Sequence, residues 1–433
     1  MRLLIEDART SSSALAASEK HLANFVAHLQ EVARTKTYAY NESSINLPTD
    51  KRLFAASQKL AKKLGGRKLK YVVVVGIGGS NLGTKAVYDA LHGAFDLEHP
   101  QHFPKMLFAD TCDARLISAL EDVVKSIRHP EEIVVNIVSK SGGTTETAVN
   151  ADILLATLRK RIKHAERRVV VTTDVGSKLW DLAEKLGMEH LPLPDLVGGR
   201  YSVLSPVGLF PLALAGIDTK KLCSGAADMQ KHCLDEKSRN NPAMQSATIL
   251  AAQLRSGKNI NDNFFFHPEL ESLGKWYRQL MGESLGKSKT RSGKKQTKAL
   301  TPTVSIGSTD LHSMGQLYLG GPKDKVTTFV TSKKTGHAEI PKNGKMSKLV
   351  HGIAGKDAAD VMRAIFGGVT AAYRKQGVPF MHVELDDLSE KSLGAFLQFK
   401  MIEMMFLGEI FDVNAFDQPQ VELYKVETKK LLL

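Results

Sequence analysis

From Lys70 onward the helical spacing of apolar positions gives way to short apolar runs alternating with helix-length amphipathic segments. Tyr71-Val-Val-Val-Val75 is a continuous β-branched run, as expected of a strand buried on both faces. A glycine-rich turn follows, and Thr84–Leu91 then has helical spacing. Lys105–Asp110, Glu132–Val138 and Arg168–Thr173 read as further strands, the last followed by a helix over Lys178–Leu186. Strands separated by helices of this length predict right-handed βαβ crossovers and a mostly parallel, doubly wound sheet.

The pattern restarts after Gly198-Gly199. Long helical segments cover about Val207–Arg255. Asn263–Phe266, Leu300–Ser305, Val326–Val330 and Pro379–Glu384 read as a second set of strands, with a helix over Ala358–Lys375 between the last two. No short fixed-period repeat relates the halves. The expected architecture is α/β: two doubly wound parallel-sheet lobes in an αβα sandwich arrangement. The domains are a helical segment at 1–47, a first α/β domain at 48–197, a second at 198–412 and a C-terminal arm at 413–433.

Composition narrows the class. At 433 residues the chain suits two or three domains, and 42% apolar, 6% aromatic and 24% charged residues describe a folded globular protein. Cys112, Cys223 and Cys233 rule out a disulfide framework, and no CxxC or Cys/His cluster points to zinc. The stretch Val203–Ile217 is broken by Pro206 and Pro211 and is too short to span a bilayer. Glu6 and Asp7 interrupt any signal peptide, so a cytoplasmic enzyme is expected. The net charge of +13 makes an anionic partner worth seeking.

Ligands of such sheets bind beyond the carboxyl ends of the strands, where two loops qualify. Gly76-Ile-Gly-Gly-Ser80-Asn-Leu-Gly83 fails as a dinucleotide fingerprint, having Asn81 at the sixth position and no acid about 20 residues on. It fails as a P-loop because Thr84-Lys85 reverses the required order. Backbone N–H groups that can approach an anion remain. The second loop, Ser139-Lys140-Ser141-Gly142-Gly143-Thr144-Thr145-Glu146, offers hydroxyls, glycines and a helix start. Either a Ser/Thr cap or a phosphate monoester bound without metal accounts for it. Two such loops in one sheet favour a sugar phosphate or similar small anion. Lys140 serves as a phosphate partner or is simply solvated.

These two loops, Gly198-Gly-Arg-Tyr-Ser202, Gln279-Leu-Met-Gly-Glu-Ser284, Ser308–Gln316 and Phe416–Lys425 occur in one order along residues 70–425. Together they resemble the glucose-6-phosphate isomerase family, within the sugar-isomerase (SIS) superfamily. The resemblance implies two SIS-type domains, a homodimer with its active site at the subunit boundary, and no metal or other cofactor. The implied activity is reversible conversion of glucose 6-phosphate and fructose 6-phosphate through a cis-enediol, a step of glycolysis and gluconeogenesis.

By the same resemblance Glu283 is the base that moves a proton between C2 and C1. A carboxylate suits that work when partial burial tunes it toward the operating pH. Arg200 faces the enediolate, His312 opens the ring from the neighbouring subunit, and Lys425 is a second ring-opening group. Gln279 lies one helical turn before Glu283, so both can face one cavity. Ser80, Ser139, Ser141 and Thr144 fit the phosphate cradle, with Lys140 beside them and Gly79 supplying backbone.

Gly142-Gly143 and Gln420 read as departures from the family's usual residues. Leu285–Lys298 is another, with six basic residues and no acid. It is expected to be a solvated mobile loop, or else a source of positive potential that speeds capture of an anionic substrate. The rivals are a dual glucose/mannose-phosphate isomerase, a non-catalytic sugar-phosphate regulator, and a nucleic-acid binder. The last lacks any recognition motif or aromatic interleaving, so neither nucleic acid nor membrane is expected as a partner.

Overall fold

The computed structural model describes residues 1–93 and 95–432. Its strands are β1 (Arg2–Leu4), β2 (Tyr71–Val75), β3 (Lys105–Ala109), β4 (Ile133–Val138), β5 (Val169–Asp174), β6 (Glu189–Leu193), β7 (Ile260–Phe265), β8 (Thr301–Ile306), β9 (Lys325–Ser332) and β10 (Phe380–Leu385). The earlier helices are α1 (Ser12–Thr35), α2 (Lys51–Leu64), α3 (Leu82–His92), α4 (Ala114–Ser126), α5 (Thr145–Arg161), α6 (Lys178–Leu186) and α7 (Pro206–Leu214), of which α1 packs on α9 and α13 and the others lie around the first sheet. The later helices are α8 (Thr219–Cys233), α9 (Pro242–Arg255), α10 (Glu271–Leu285), α11 (Gly315–Gly320), α12 (Ala358–Gln376), α13 (Glu390–Ile410) and α14 (Val421–Leu431).

The first sheet runs β3-β2-β4-β5-β6, every pair parallel. Its strands alternate between two cores, which is why β2 is apolar at every position. Val73 and Val75 face α4, α5 and α6. Val72 and Val74 face the other way, into the core shared with α2, α3 and α7. The second sheet runs β1-β10-β9-β7-β8 and is parallel except for β1. Phe264 and Phe329 lie on its outer face with Tyr318 and Tyr373, while Phe265, Val330 and Val383 join the central core. Both lobes therefore share one interior, crossed by α3, α9, α10 and α13.

Three features differ from the expected layout. Residues 1–47 are not wholly helical, because Arg2–Leu4 adds an antiparallel edge strand to the second sheet. Helix α7, placed in the second lobe by a boundary at 198, packs against α2 and α3 on the first. The edge strand β6 and the helix α13 are not evident from the pattern. β6 carries Pro192 and a glutamate, as an edge strand can. α13 is buried on nearly all sides because it is central, so its sequence shows little amphipathic period. Inside it the fully buried Lys400 pairs with Glu403 at 2.8 Å, and Glu403 also accepts from Tyr277 of α10 at 2.6 Å. That network fixes α10 against α13. Among the described residues no helix is long and apolar enough to cross a membrane.

A second buried carboxylate carries a pH-dependent cost. Asp262 of β7 accepts from Thr303, Ser305 and Tyr318 at 2.6, 3.0 and 3.1 Å, all on Oδ1. Its Oδ2 has no partner among the described residues. Burial pushes its pKa above the ordinary 3.8. A raised carboxyl pKa means the folded state holds a proton that the unfolded chain releases, so this group's contribution falls as pH rises above 3.8. Asp262→Asn, which keeps the acceptor and removes the charge, should be more stabilising near pH 8 than near pH 4. Urea unfolding at both pH values measures this, and a pH-independent effect would refute it.

Candidate active site

In the first sheet, β2 and β4 are neighbours whose following segments leave toward opposite faces, β2 into α3 and β4 into α5. Their carboxyl ends form the switch point at which such sheets bind ligands. The two loops touch there: a Cβ at Gly76 would lie 2.8 Å from Ser80 Cβ and 2.9 Å from the Val138 carbonyl oxygen. Ser80 ends a short 3₁₀ turn (Gly78–Ser80), and Ser139 Oγ lies 3.0 Å from Thr144 Oγ1.

Thr144 occupies the N-cap position of α5 without capping it. By contrast, Asp113, Ser177 and Asn241 each accept a backbone N–H at the starts of α4, α6 and α9. With the Thr144 hydroxyl turned toward Ser139, the first N–H groups of α5 are left to an incoming anion. Ser141 is exposed at the tip, and Gly142 takes φ +68°, a backbone that L side chains adopt only with strain. Lys140 turns to the Asp195 carbonyl. Asp174, at the end of β5 beside Lys140, is pushed up to about 6 by burial, Lys140 opposing and Asp195 reinforcing the shift.

The first loop also meets the segment carrying Arg200. A Cβ at Gly79 would lie 2.1 Å from the Gly199 carbonyl carbon and 2.4 Å from the Arg200 nitrogen, so only glycine allows this approach. Gly78, at φ +60°, lies against Gln279 of α10. Gln279 Nε2 donates to Glu283 Oε1 at 3.0 Å, and Arg200 Nη1 donates to Glu283 Oε2 at 3.1 Å. Glycine loop, arginine turn and α10 thus converge on one half-buried carboxylate between the lobes.

Arg200 is 2% exposed and every guanidinium nitrogen is engaged. Nε donates to Ser284 at 2.9 Å, and Nη1 reaches Gln418 Oε1 at 2.8 Å besides Glu283. Nη2 donates to the carbonyls of Ala415 and Asp417 at 2.6 and 3.2 Å. Its chemistry toward a ligand is therefore that of a fixed charge held beside Glu283. It also ties the start of the C-terminal arm to α10.

Lys287 departs from the expectation of a solvated loop over 285–298. Its side chain is 6% exposed, donating to the Glu283 carbonyl and to Asp417 Oδ1, each at 2.8 Å. Burial lowers its pKa, and Asp417 offsets part of that. Arg291 pairs with Glu409 at 2.7 Å and Asp412 at 3.0 Å. Two of the six cations are thus neutralised and anchor the segment. Sequence reading missed Lys287 because spacing shows a charge run and not the carbonyls that receive it. It also missed Ser284 and Gln418, although both stand in motifs already singled out.

His312 and Lys425 are not brought to this cluster within the chain. His312 is exposed in the turn after β8, and Lys425 is on α14, paired with Glu422 at 2.6 Å. No hydrogen bond or ion pair joins either to Glu283 or Arg200 among the described residues.

The cleft can hold a phosphate at the paired loops and move a proton at Glu283, with positive charge beside it. The sequence model of the family described as phosphoglucose isomerase matches residues 54–432. A glucose-6-phosphate isomerase of Carboxydothermus hydrogenoformans is 34% identical over 384 residues, covering 87% of this chain and 82% of that protein. One from Methanocaldococcus jannaschii is 34% identical over 361 residues, covering 83% and 82%. Among solved structures, a hypothetical protein from Thermus thermophilus aligns with TM-score 0.86 at 28% identity, over 100% of this chain and 99% of that one. A glucose-6-phosphate isomerase from Chlamydia trachomatis gives TM-score 0.81 at 20% identity, over 99% and 88%, which is a likeness of fold. With nearly its whole length matched, and the six motifs falling on the two loops, the arginine turn, α10, the β8 turn and the arm, the chain belongs to the phosphoglucose isomerase family.

Proposed function

We propose that the chain interconverts D-glucose 6-phosphate and D-fructose 6-phosphate, with Glu283 shuttling a proton between C2 and C1 through a cis-enediol. The observation that carries this is the Arg200–Glu283–Gln279 constellation lodged against a phosphate-type loop pair in a member of this family. The phosphate lies on the Ser80 and Ser139–Thr144 loops, held by hydroxyls and backbone N–H groups. Gly79 brings that loop against Arg200, and the sugar then extends toward Glu283. As base, Glu283 takes the C2 proton and returns it to C1, while negative charge develops on the enediolate oxygen. Arg200 stabilises that charge as a positive group already in place, so nothing reorganises when the barrier is crossed. Gln279 holds one carboxylate oxygen and orients the other. Ring opening falls to His312, donated by the second subunit of a homodimer, or to Lys425. The exposed position of His312 and the exposed apolar side chains Leu423 and Tyr424 on α14 support an assembly that covers them.

The test is a coupled assay in both directions, with mannose 6-phosphate as a second substrate. Fructose 6-phosphate should be converted to glucose 6-phosphate at an ordinary enzymatic rate, about 1–10³ s⁻¹. Turnover of mannose 6-phosphate at a comparable rate would favour the dual-specificity reading. No turnover of either would overturn the proposal.

A further inference from the structure

We propose that His92, Asp96 and His102 form a binding site for a divalent transition-metal ion of the zinc type, outside the isomerase centre, which pins the α3–β3 connection. His92 is the last residue of α3, Asp96 opens a short 3₁₀ turn (Asp96–Glu98), and His102 precedes β3. One ligand atom from each lies within 4.8 Å of the others. The geometry is local and restrained: the His92 and His102 rings are 4.4 Å apart, and Tyr88 lies 4.7 Å from His92.

The hydrogen-bond account points to a ligand. His92 Nε2 is shut off from solvent and has no partner among the described residues. A buried ring nitrogen left so costs free energy unless something occupies its lone pair or takes its proton. Asp96 is 7% exposed, with Oδ1 against His102 Nδ1 and Oδ2 against the Tyr88 hydroxyl. Two imidazoles and one carboxylate gathered this closely are the donor set of three-ligand zinc sites, with a fourth position left to water. Lys105 Nζ lies 3.7 Å from Asp96 Oδ2, which opposes a cation and weakens the site, and a bound ion would have to displace the His102 contact on Oδ1. A cavity of about 440 Å³ borders the cluster on its Tyr88 and Asp96 side. The site is separate from catalysis: α3 begins beside the glycine loop at Leu82 and ends at His92, about 15 Å further along the helix.

Chelator-stripped protein would be titrated with ZnCl₂ by calorimetry and with CoCl₂ by visible absorption, for wild type, H92Q, H102Q and H99Q. One equivalent of zinc should bind wild type and H99Q alike. Affinity should fall at least the roughly 10–100-fold that perturbing a metal's supporting shell costs in H92Q and in H102Q. Turnover in metal-free buffer should be the same in all four. Zinc should raise the melting temperature of wild type and leave the H92Q/H102Q double variant unmoved. Equal zinc binding by wild type and the double variant, or none by wild type, overturns the site. Should a variant fail to fold, the cobalt spectrum of wild type decides. The d–d bands of a low-coordinate nitrogen–oxygen site support the ion, and a spectrum like that of aqueous cobalt overturns it.

Discussion

Glu283→Gln should lower kcat by about 10²–10⁴-fold, the usual contribution of a positioned general base, with KM little changed. The split follows from where each part sits. The phosphate loops hang from β2 and β4, whereas Glu283 rides on α10, so removing the base leaves the anchor intact. The fold should tolerate the exchange. The new amide can offer its oxygen to Arg200 Nη1 and its NH₂ to Gln279, whose own Oε1 is buried without a partner among the described residues and can turn to accept. Melting should therefore stay close to wild type, so that lost turnover reports chemistry. Mixing Glu283→Gln with His312→Ala subunits adds a test of the shared site. Heterodimers carry one intact site if the histidine crosses the interface, and activity returns; if it acts within its own subunit, none returns. Undiminished turnover in Glu283→Gln would remove it as the base.

The sequence revealed those features that repeat along the chain and concealed those that depend on what lies opposite. Strands buried on both faces announce themselves as β-branched runs, so β2, β4 and β5 were legible to within a residue or two. β1 was not, because three edge residues have no period of their own. The hydroxyl loop Ser139–Thr144 was legible as either cap or cradle, and the direction of one hydroxyl, Thr144 toward Ser139, now favours the cradle. Lys287 looked like its solvated neighbours, since nothing in a run of lysines tells which one finds a carboxylate. The saturation of Arg200 by the arm at 415–418 is likewise a tertiary fact, joining positions more than 200 residues apart. His92, Asp96 and His102 escaped a search for zinc spacings because a helix end and a turn, and not a regular motif, bring them together.

Arg200→Met should be costly twice. Arg200 is buried with all three guanidinium nitrogens donating, so a methionine of similar reach takes one donor from each of the Ala415 and Asp417 carbonyls, leaving them Tyr201 and Lys287, and leaves Glu283 without its guanidinium counter-charge. Losing the buried guanidinium's hydrogen bonds costs about 1–3 kcal/mol, which urea unfolding would register as an earlier transition. Because the lost bonds are three of those that tether residues 415–418, with Tyr201 and Lys287 the remaining holds, the arm should also become more open to limited proteolysis. Catalysis should fall separately, by about 10²–10³-fold in kcat at temperatures where the variant is folded, the scale of losing one preorganised charge at a developing oxyanion. Arg200→Lys separates the two roles. It restores a positive charge beside Glu283 but only three donors in place of a five-donor fork, so kcat should recover further than the protection of the arm does. If the methionine variant keeps both full kcat and a protected arm, Arg200 neither stabilises the enediolate nor holds the C-terminal segment. If the arm loosens while kcat is untouched, its role is structural alone, and the charge beside Glu283 must come from Lys287, whose ammonium already donates to the same residue's backbone.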